Sequence, residues 1–314
     1  MQVVPPLPAA VLPAKLQTGK EILDLVKELR ANDPEQVRIQ ELRNVYKEKT
    51  KDVESFMNTG FPDANLFSSQ LLYDDAFAAA KKDWDILQAK KNAAGVDFYN
   101  ANKELQDKAL ALLVIPNHKP MQLEPLTVAT YNNFTAEHKA AKEWVESIIS
   151  PDIEYKNNLN EFGTRVIYGS GAFYHPNSGR DYGNSLINIE ATDTGAILVH
   201  ELGHFIDAET KLQLPNNKER TNLRSYKFYE RRTAGDSFER LDKEFPNRGY
   251  VANDKFKRDK WEHVYTGRYY GGADAGNEVL SMGLQYYYED AVGFAEFDPE
   301  HFEYTINAIR GIVP

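Results

Sequence analysis

Ile197-Leu198-Val199-His200-Glu201-Leu202-Gly203-His204-Phe205-Ile206-Asp207 sets two histidines four residues apart inside an apolar run, with a glutamate directly after the first. Leu198, Leu202, Phe205 and Ile206 recur at the spacing of a helix face, and Thr192-Asp193-Thr194 just upstream offers residues that cap a helix start. Residues four apart lie one above the other on an α-helix, so His200 and His204 can turn two imidazole nitrogens toward a single ion, with Zn2+ the expected metal. Glu201 then projects beside the ion and not onto it. From there a carboxylate can take a proton from metal-bound water and pass it to a leaving amine, the general-base role this spacing supports.

A catalytic zinc needs a third protein ligand and an open position. Far downstream, Gly276-Asn277-Glu278-Val279-Leu280-Ser281-Met282-Gly283-Leu284 reads as a helix that starts after a glycine-rich turn, with Glu278 in its first turn. Its Asn-Glu-x-x-Ser pattern resembles the glutamate-bearing helix of the gluzincins, whose third ligand is a Glu at a variable distance after His-Glu-x-x-His. The resemblance implies a zinc centre of His200, His204 and Glu278, with no other cofactor.

The loop Trp261-Glu262-His263-Val264-Tyr265-Thr266-Gly267-Arg268-Tyr269-Tyr270-Gly271-Gly272 runs up to that helix. Hydrolysis develops negative charge on the substrate carbonyl oxygen, and a donor near the metal stabilises it. Tyr270 and then Tyr269 are the expected donors, with Tyr265, His263 and Arg268 as further candidates. The glycines at 271, 272 and 276 would let the loop come close to the metal.

A length of 314 residues, 42 % hydrophobic, suits a globular chain of two domains, and no run approaches the ~18 apolar residues of a membrane span. A net charge of −10 argues against a nucleic-acid surface, and the absence of cysteine removes disulfides and thiolate ligands. Met1-Gln2-Val3-Val4-Pro5-Pro6-Leu7-Pro8 lacks the basic start of a Sec signal peptide, which leaves a cytoplasmic location or a non-Sec export route.

Toward the N-terminus, Thr18-Gly19-Lys20-Glu21 reads as a capping box before a helix with Ile22, Leu25, Val26 and Leu29 on one stripe. Asp33-Pro34 should open a second helix with Val37, Leu42, Val45, Tyr46, Val53 and Phe56 on its apolar face. Helices at about 68–93 and 96–114 follow, with Gly95 as the break. Residues 1–120 thus read as a helical scaffold or interaction domain, which offers a surface for a partner protein. His118 and His138 are expected at the surface, and the break at Ile115-Pro116-Asn117-His118-Lys119-Pro120-Met121 is the expected boundary.

Residues 121–314 read as a second domain. Its expected elements are a helix from Thr135 to Ser150, strands at 164–169, 172–175 and 185–189, the two metal-bearing helices, and a charged helical stretch at 216–247 broken at Arg231-Arg232-Thr233-Ala234-Gly235. A strand leading into the metal-site helix is the order seen in zincins, where an edge strand lines the cleft and pairs with an extended peptide. His175, beside Pro176, is expected to be structural.

Arg232-Thr233-Ala234-Gly235, Tyr269-Tyr270-Gly271-Gly272, Asn277-Glu278-Val279-Leu280-Ser281-Met282-Gly283 and Asp298-Pro299-Glu300-His301-Phe302 together resemble a metallopeptidase domain of phage minor-head-like, mobile-element and toxin proteins, over roughly residues 190–311. The expected class is therefore α+β: a helical N-terminal bundle followed by a zincin-like domain with a small sheet. The expected function is a zinc metallopeptidase acting on a protein or peptide. Two other readings stand beside it, a non-catalytic structural or binding protein that keeps a zinc site, and a secreted or injected toxin protease with a host protein target.

Overall fold

The structure is a computed structural model that describes residues 17–62, 66, 68–116, 134–150, 165–168, 172–175, 186–190, 192–209, 223–246, 249–270 and 277–312. The described residues are mostly helical, with two small sheets, an α+β arrangement. They divide into two compact units that interleave in sequence: 17–29, 106–239 and 256–312 form one, and 30–105 with 240–255 the other. The units therefore cut the chain differently from a single boundary near 120. Segments on both sides of that point share one core, as Gln106 and Arg310 illustrate below.

In the second unit the long helices are α2 (Gln36–Thr59) and most of α3 (Gln70–Leu113). α2 starts two residues later than Asp33-Pro34 suggested, because the Asp33 carboxylate accepts from the Glu35 amide (2.8 Å) and forms a turn before the helix. Its buried positions are Ile39, Arg43 and Val53, whereas Val37 and Val45 are exposed, so the apolar face is narrower than the pattern implied. α3 runs through Gly95 without a break. A Cβ at that position would stand 3.1 Å from the Tyr46 ring, so the glycine serves close helix packing and not termination. Tyr46 stacks on Phe98, and the buried Arg43 lies over the same ring.

The first unit holds the remaining helices except the one-turn helix Leu241–Glu244. α1 (Gly19–Ala31) opens with the reciprocal capping box, the Thr18 amide donating to Glu21 Oε2 (2.6 Å) and the Glu21 amide to Thr18 Oγ1 (3.2 Å). Ile22, Leu23 and Val26 form its buried stripe, while Leu25 and Leu29 are only half-buried. In α4 (Ala136–Ile148) the cap is Thr135, and Val145 and Ile148 are fully buried. His138 is not a surface residue. It is buried in α4, with Nε2 2.7 Å from the Asp193 carbonyl, so it ties α4 to the turn before the next helix.

Three strands follow: β1 (Arg165–Tyr168), β2 (Phe173–His175) and β3 (Leu186–Ile189). Their order is β1-β3-β2. β3 runs parallel to β1, with Arg165 opposite Leu186, and antiparallel to β2, with His175 opposite Leu186. The strand leading into the His-Glu-x-x-His helix is thus the centre of the sheet, not an edge, which agrees with the complete burial of Ile187 and Ile189. His118 and the His175 side chain lie outside the described residues.

α5 (Gly195–Glu209) is the His-Glu-x-x-His helix, and α6 (Leu223–Arg232) follows. Of the expected helical stretch at 216–247, only α6 and the one-turn α7 (Leu241–Glu244) are helical among the described residues. The chain turns at Gly235, whose φ of 91° suits glycine, into β4 (Phe238–Arg240), which forms a second sheet of order β4-β5-β6 with β5 (Lys255–Lys257) and β6 (Arg268–Tyr269). A 3-10 turn at Val264–Gly267 precedes β6.

α8 (Asn277–Phe297) and α9 (Pro299–Ile309) complete the core. α8 is kinked at Asp290 (φ −157°, ψ 76°), where the intrahelical ladder breaks. Gln106 of α3 repairs it: Nε2 donates to the Tyr287 and Tyr288 carbonyls (2.7 and 2.9 Å), and Oε1 accepts from the Ala291 amide (2.9 Å). At the end of α9, Arg310 donates to the Ile148 carbonyl (2.8 Å) and the Leu113 carbonyl (2.7 Å), capping the last turns of α4 and α3 together. Among the described residues, no helix is long and apolar enough to cross a membrane.

Candidate metal centre

α5 is buried over most of its surface. Leu198, Val199, Leu202, Phe205 and Ile206 are each at most 1 % exposed, so packing holds this helix on several sides. Its start is capped from another element: the Gly195 amide donates to Glu137 Oε1 of α4 (2.8 Å), while Asp193 takes the Glu190 amide (2.6 Å). α8 crosses α5 at Gly203, where a Cβ would stand 2.6 Å from the Ser281 Cα. Backbone meets backbone there, beside His204 and within one turn of Glu278. α9 packs as closely on the other side of α8, because a Cβ on Gly283 would overlap Thr305 Oγ1.

This crossing brings three ligand atoms to one point. His200 Nε2 and His204 Nε2 are 3.1 Å apart, and each is 3.3 Å from Glu278 Oε2. Donor atoms bound tetrahedrally at the ~2.0–2.1 Å usual for zinc with imidazole and carboxylate ligands lie about 3.3–3.4 Å from one another, so this triangle has the right size for a small divalent ion. The buried group His200, His204 and Glu278 could hold a metal ion. Among the described residues, no hydrogen bond is made by the buried His200 Nδ1.

Glu278 is 1 % exposed. Burial by itself opposes its ionisation, but the pull of His204 and His200 outweighs that and holds the carboxyl well below the usual carboxylate range. Ser281, one turn on, donates to the Glu278 carbonyl (3.1 Å) and reaches Oε2 at 3.4 Å. Glu201, next to His200 on α5, is 5 % exposed.

The aromatic loop adds a chain of polar atoms on the far side of the carboxylate. The Tyr270 hydroxyl donates to Glu278 Oε1 and lies 3.2 Å from the Tyr265 hydroxyl, which accepts from Arg268 Nη1 (3.0 Å). The Arg268 guanidinium also lies 4.5 Å from the centre of the Tyr270 ring. Tyr270 as a whole is 43 % exposed, yet its hydroxyl reaches a carboxylate that is buried. Burial, and then the Glu278 charge, push the Tyr270 and Tyr265 phenols above the ordinary tyrosine range, so both stay protonated.

Tyr269, the last residue of β6, packs instead against Phe238 with ring centres 4.7 Å apart. His263 caps the 3-10 turn, its Nδ1 accepting from the Tyr265 amide (3.1 Å).

Gly203 sits at an unspecified position of the His-Glu-x-x-His pattern, and Ser281 is the serine of Asn-Glu-x-x-Ser, but only the crossing of α5 and α8 reveals what each does there. His301, fully buried in α9, has Nε2 2.7 Å from the carbonyl of Val279, the residue after Glu278, and so braces the first turn of α8. Comparison of the chain with protein-family models, with curated proteins and with solved structures finds no match.

Proposed function

We propose that this chain is a zinc-dependent metallopeptidase of gluzincin type, acting on a protein or peptide. The observation that carries the reading is the convergence of His200 Nε2, His204 Nε2 and Glu278 Oε2 within 3.3 Å of one another, with Glu201 buried beside the first ligand. A zinc ion bound there supplies a Lewis acid that activates water and polarises an amide carbonyl. His200 and His204 would hold it through Nε2 and Glu278 through Oε2. Glu201 takes the proton of the attacking water and delivers it to the leaving nitrogen. A structural zinc takes four protein ligands as a rule, and only three converge among the described residues, which favours the catalytic reading over the structural one.

Metal analysis of the purified protein tests the site: about one zinc per chain is expected, lost in His200→Ala and His204→Ala. Glu201→Gln separates catalysis from binding, since it should keep the zinc and lower peptide hydrolysis by ~10²–10⁴-fold. Full zinc retention in both histidine variants, or wild-type turnover in Glu201→Gln, contradicts the assignment.

A further inference from the structure

Glu278 uses its two oxygens differently. Oε2 lies 3.3 Å from both imidazole Nε2 atoms, whereas Oε1 accepts from Tyr270. Behind Tyr270 stands Tyr265, and behind Tyr265 stands Arg268. The two ends of this row fix its direction. A guanidinium can only donate and a carboxylate can only accept. Each hydroxyl between them has one proton, and every contact is used when Arg268 Nη1 donates to Tyr265, Tyr265 to Tyr270, and Tyr270 to Glu278 Oε1. Reversing the middle step would take the Tyr270 proton away from Oε1 and leave the Tyr265 hydroxyl accepting from both neighbours.

We infer that Arg268, Tyr265 and Tyr270 form a one-way hydrogen-bond chain that positions Glu278, occupying Oε1 so that Oε2 alone faces the metal. This rests on the metal-centre reading above. Arg268 and Tyr265 are positioning residues that never touch Oε2 and act through Tyr270. The chain also commits the Tyr270 proton to Glu278 in the free protein, so that donation to a substrate oxygen would require it to leave that carboxylate. Chains of hydrogen bonds polarise one another, so loss at the distant end is felt at the carboxylate. Partners behind metal ligands commonly account for ~10–100-fold in metal affinity.

The test is zinc affinity by competition with a chromophoric chelator, together with the visible spectrum of the cobalt-substituted protein, both independent of turnover. Tyr270→Phe should weaken zinc binding by about 10–100-fold. Tyr265→Phe, which leaves every atom near Glu278 in place, should weaken it in the same direction by a smaller factor and shift the cobalt bands. Arg268→Met should weaken zinc binding at least as much as Tyr265→Phe, because the guanidinium also lies over the Tyr270 ring, and Arg268→Lys should restore part of the loss. The double variant Tyr265→Phe/Arg268→Met should lose less than the product of the two single effects, because both cut the same chain. Wild-type affinity and cobalt spectrum in Tyr265→Phe and Arg268→Met would overturn the chain while leaving the metal centre intact. Failure of the wild-type protein to take up zinc or cobalt would overturn the metal centre itself, and the chain with it.

Discussion

His301 shows what a single buried side chain does behind the centre. Its ring is fully buried among aromatic rings, with Phe294 at 5.1 Å, Trp261 at 5.5 Å and Phe228 at 5.9 Å between centres, and its Nε2 meets the Val279 carbonyl. Burial drives its pKa down to about 4, although Asp298, 3.9 Å from Nδ1, pulls the other way. The folded protein therefore holds the neutral ring where the unfolded chain, with a pKa of ~6.5, begins to bind a proton. Stability contributed by this group is full above pH ~6.5 and falls as the pH drops toward 4, by about 3 kcal/mol in all. Denaturant titrations at pH 7 and 4.5 should show a smaller acid loss in His301→Gln than in the wild type, and equal losses would refute the assignment. Nothing in the sequence around Asp298-Pro299-Glu300-His301 distinguished this histidine from a surface one. His138, expected at the surface, is buried for the same kind of reason: a carbonyl from another element, Asp193, meets its ring.

At the scale of helices, the centre depends on how closely α5 and α8 approach. The Gly203 Cβ position is 2.6 Å from a backbone atom of Ser281, which cannot turn aside as a flexible side chain would. Gly203→Ala should force the helices apart, with a destabilisation of about 1–3 kcal/mol. It should also weaken zinc binding, because Glu278 Oε2 moves away from His200 and His204. Thermal unfolding and chelator competition on one sample check both, and a variant with unchanged stability and affinity would mean that the helices do not cross so closely. The repair of the α8 kink by Gln106 follows the same logic, since the freed groups of one helix are met by a side chain far away in sequence. No proline marks the break at Asp290 within Asn277–Phe297; the second half of the helix starts on the Asp290 carboxylate, which accepts from the Gly293 amide (3.1 Å) as a cap does.

Across the whole molecule, Arg310 links elements that sequence order keeps apart. It is 5 % exposed, and its guanidinium donates to the last carbonyls of α3 and α4 from the end of α9. Burial lowers its pKa to about 10, so the group remains charged at neutral pH, and the negative ends of two helix dipoles offset that charge. Arg310→Met leaves two carbonyls without a donor. Since hydrogen bonds to charged groups contribute ~1.5–3 kcal/mol each, a loss of about 3 kcal/mol in chemical denaturation is expected. Arg310→Lys, with one ammonium in place of a fork, should recover part of it, and a wild-type midpoint in Arg310→Met would contradict this role.

Local chemistry was legible from residues alone. The Thr18 and Glu21 capping box, the helix beginning near Thr135 and the placing of His200 and His204 on one helix face need only near neighbours in the chain, and the described geometry contains each of them. The turn at Gly235 belongs with these, since a positive φ favours glycine wherever the rest of the chain lies. Tertiary structure decided what depends on approach. It made Gly95 a contact with Tyr46 and not a helix end, put β3 at the centre of its sheet, and joined 17–29 and 106–116 to the core that holds the metal-binding group. It also separated Tyr270, bonded to Glu278, from Tyr269, packed on Phe238. The reason is range. Capping and helical phase are settled within about one turn of chain, whereas three ligand atoms within 3.3 Å require two helices distant in sequence to meet at Gly203 and Ser281.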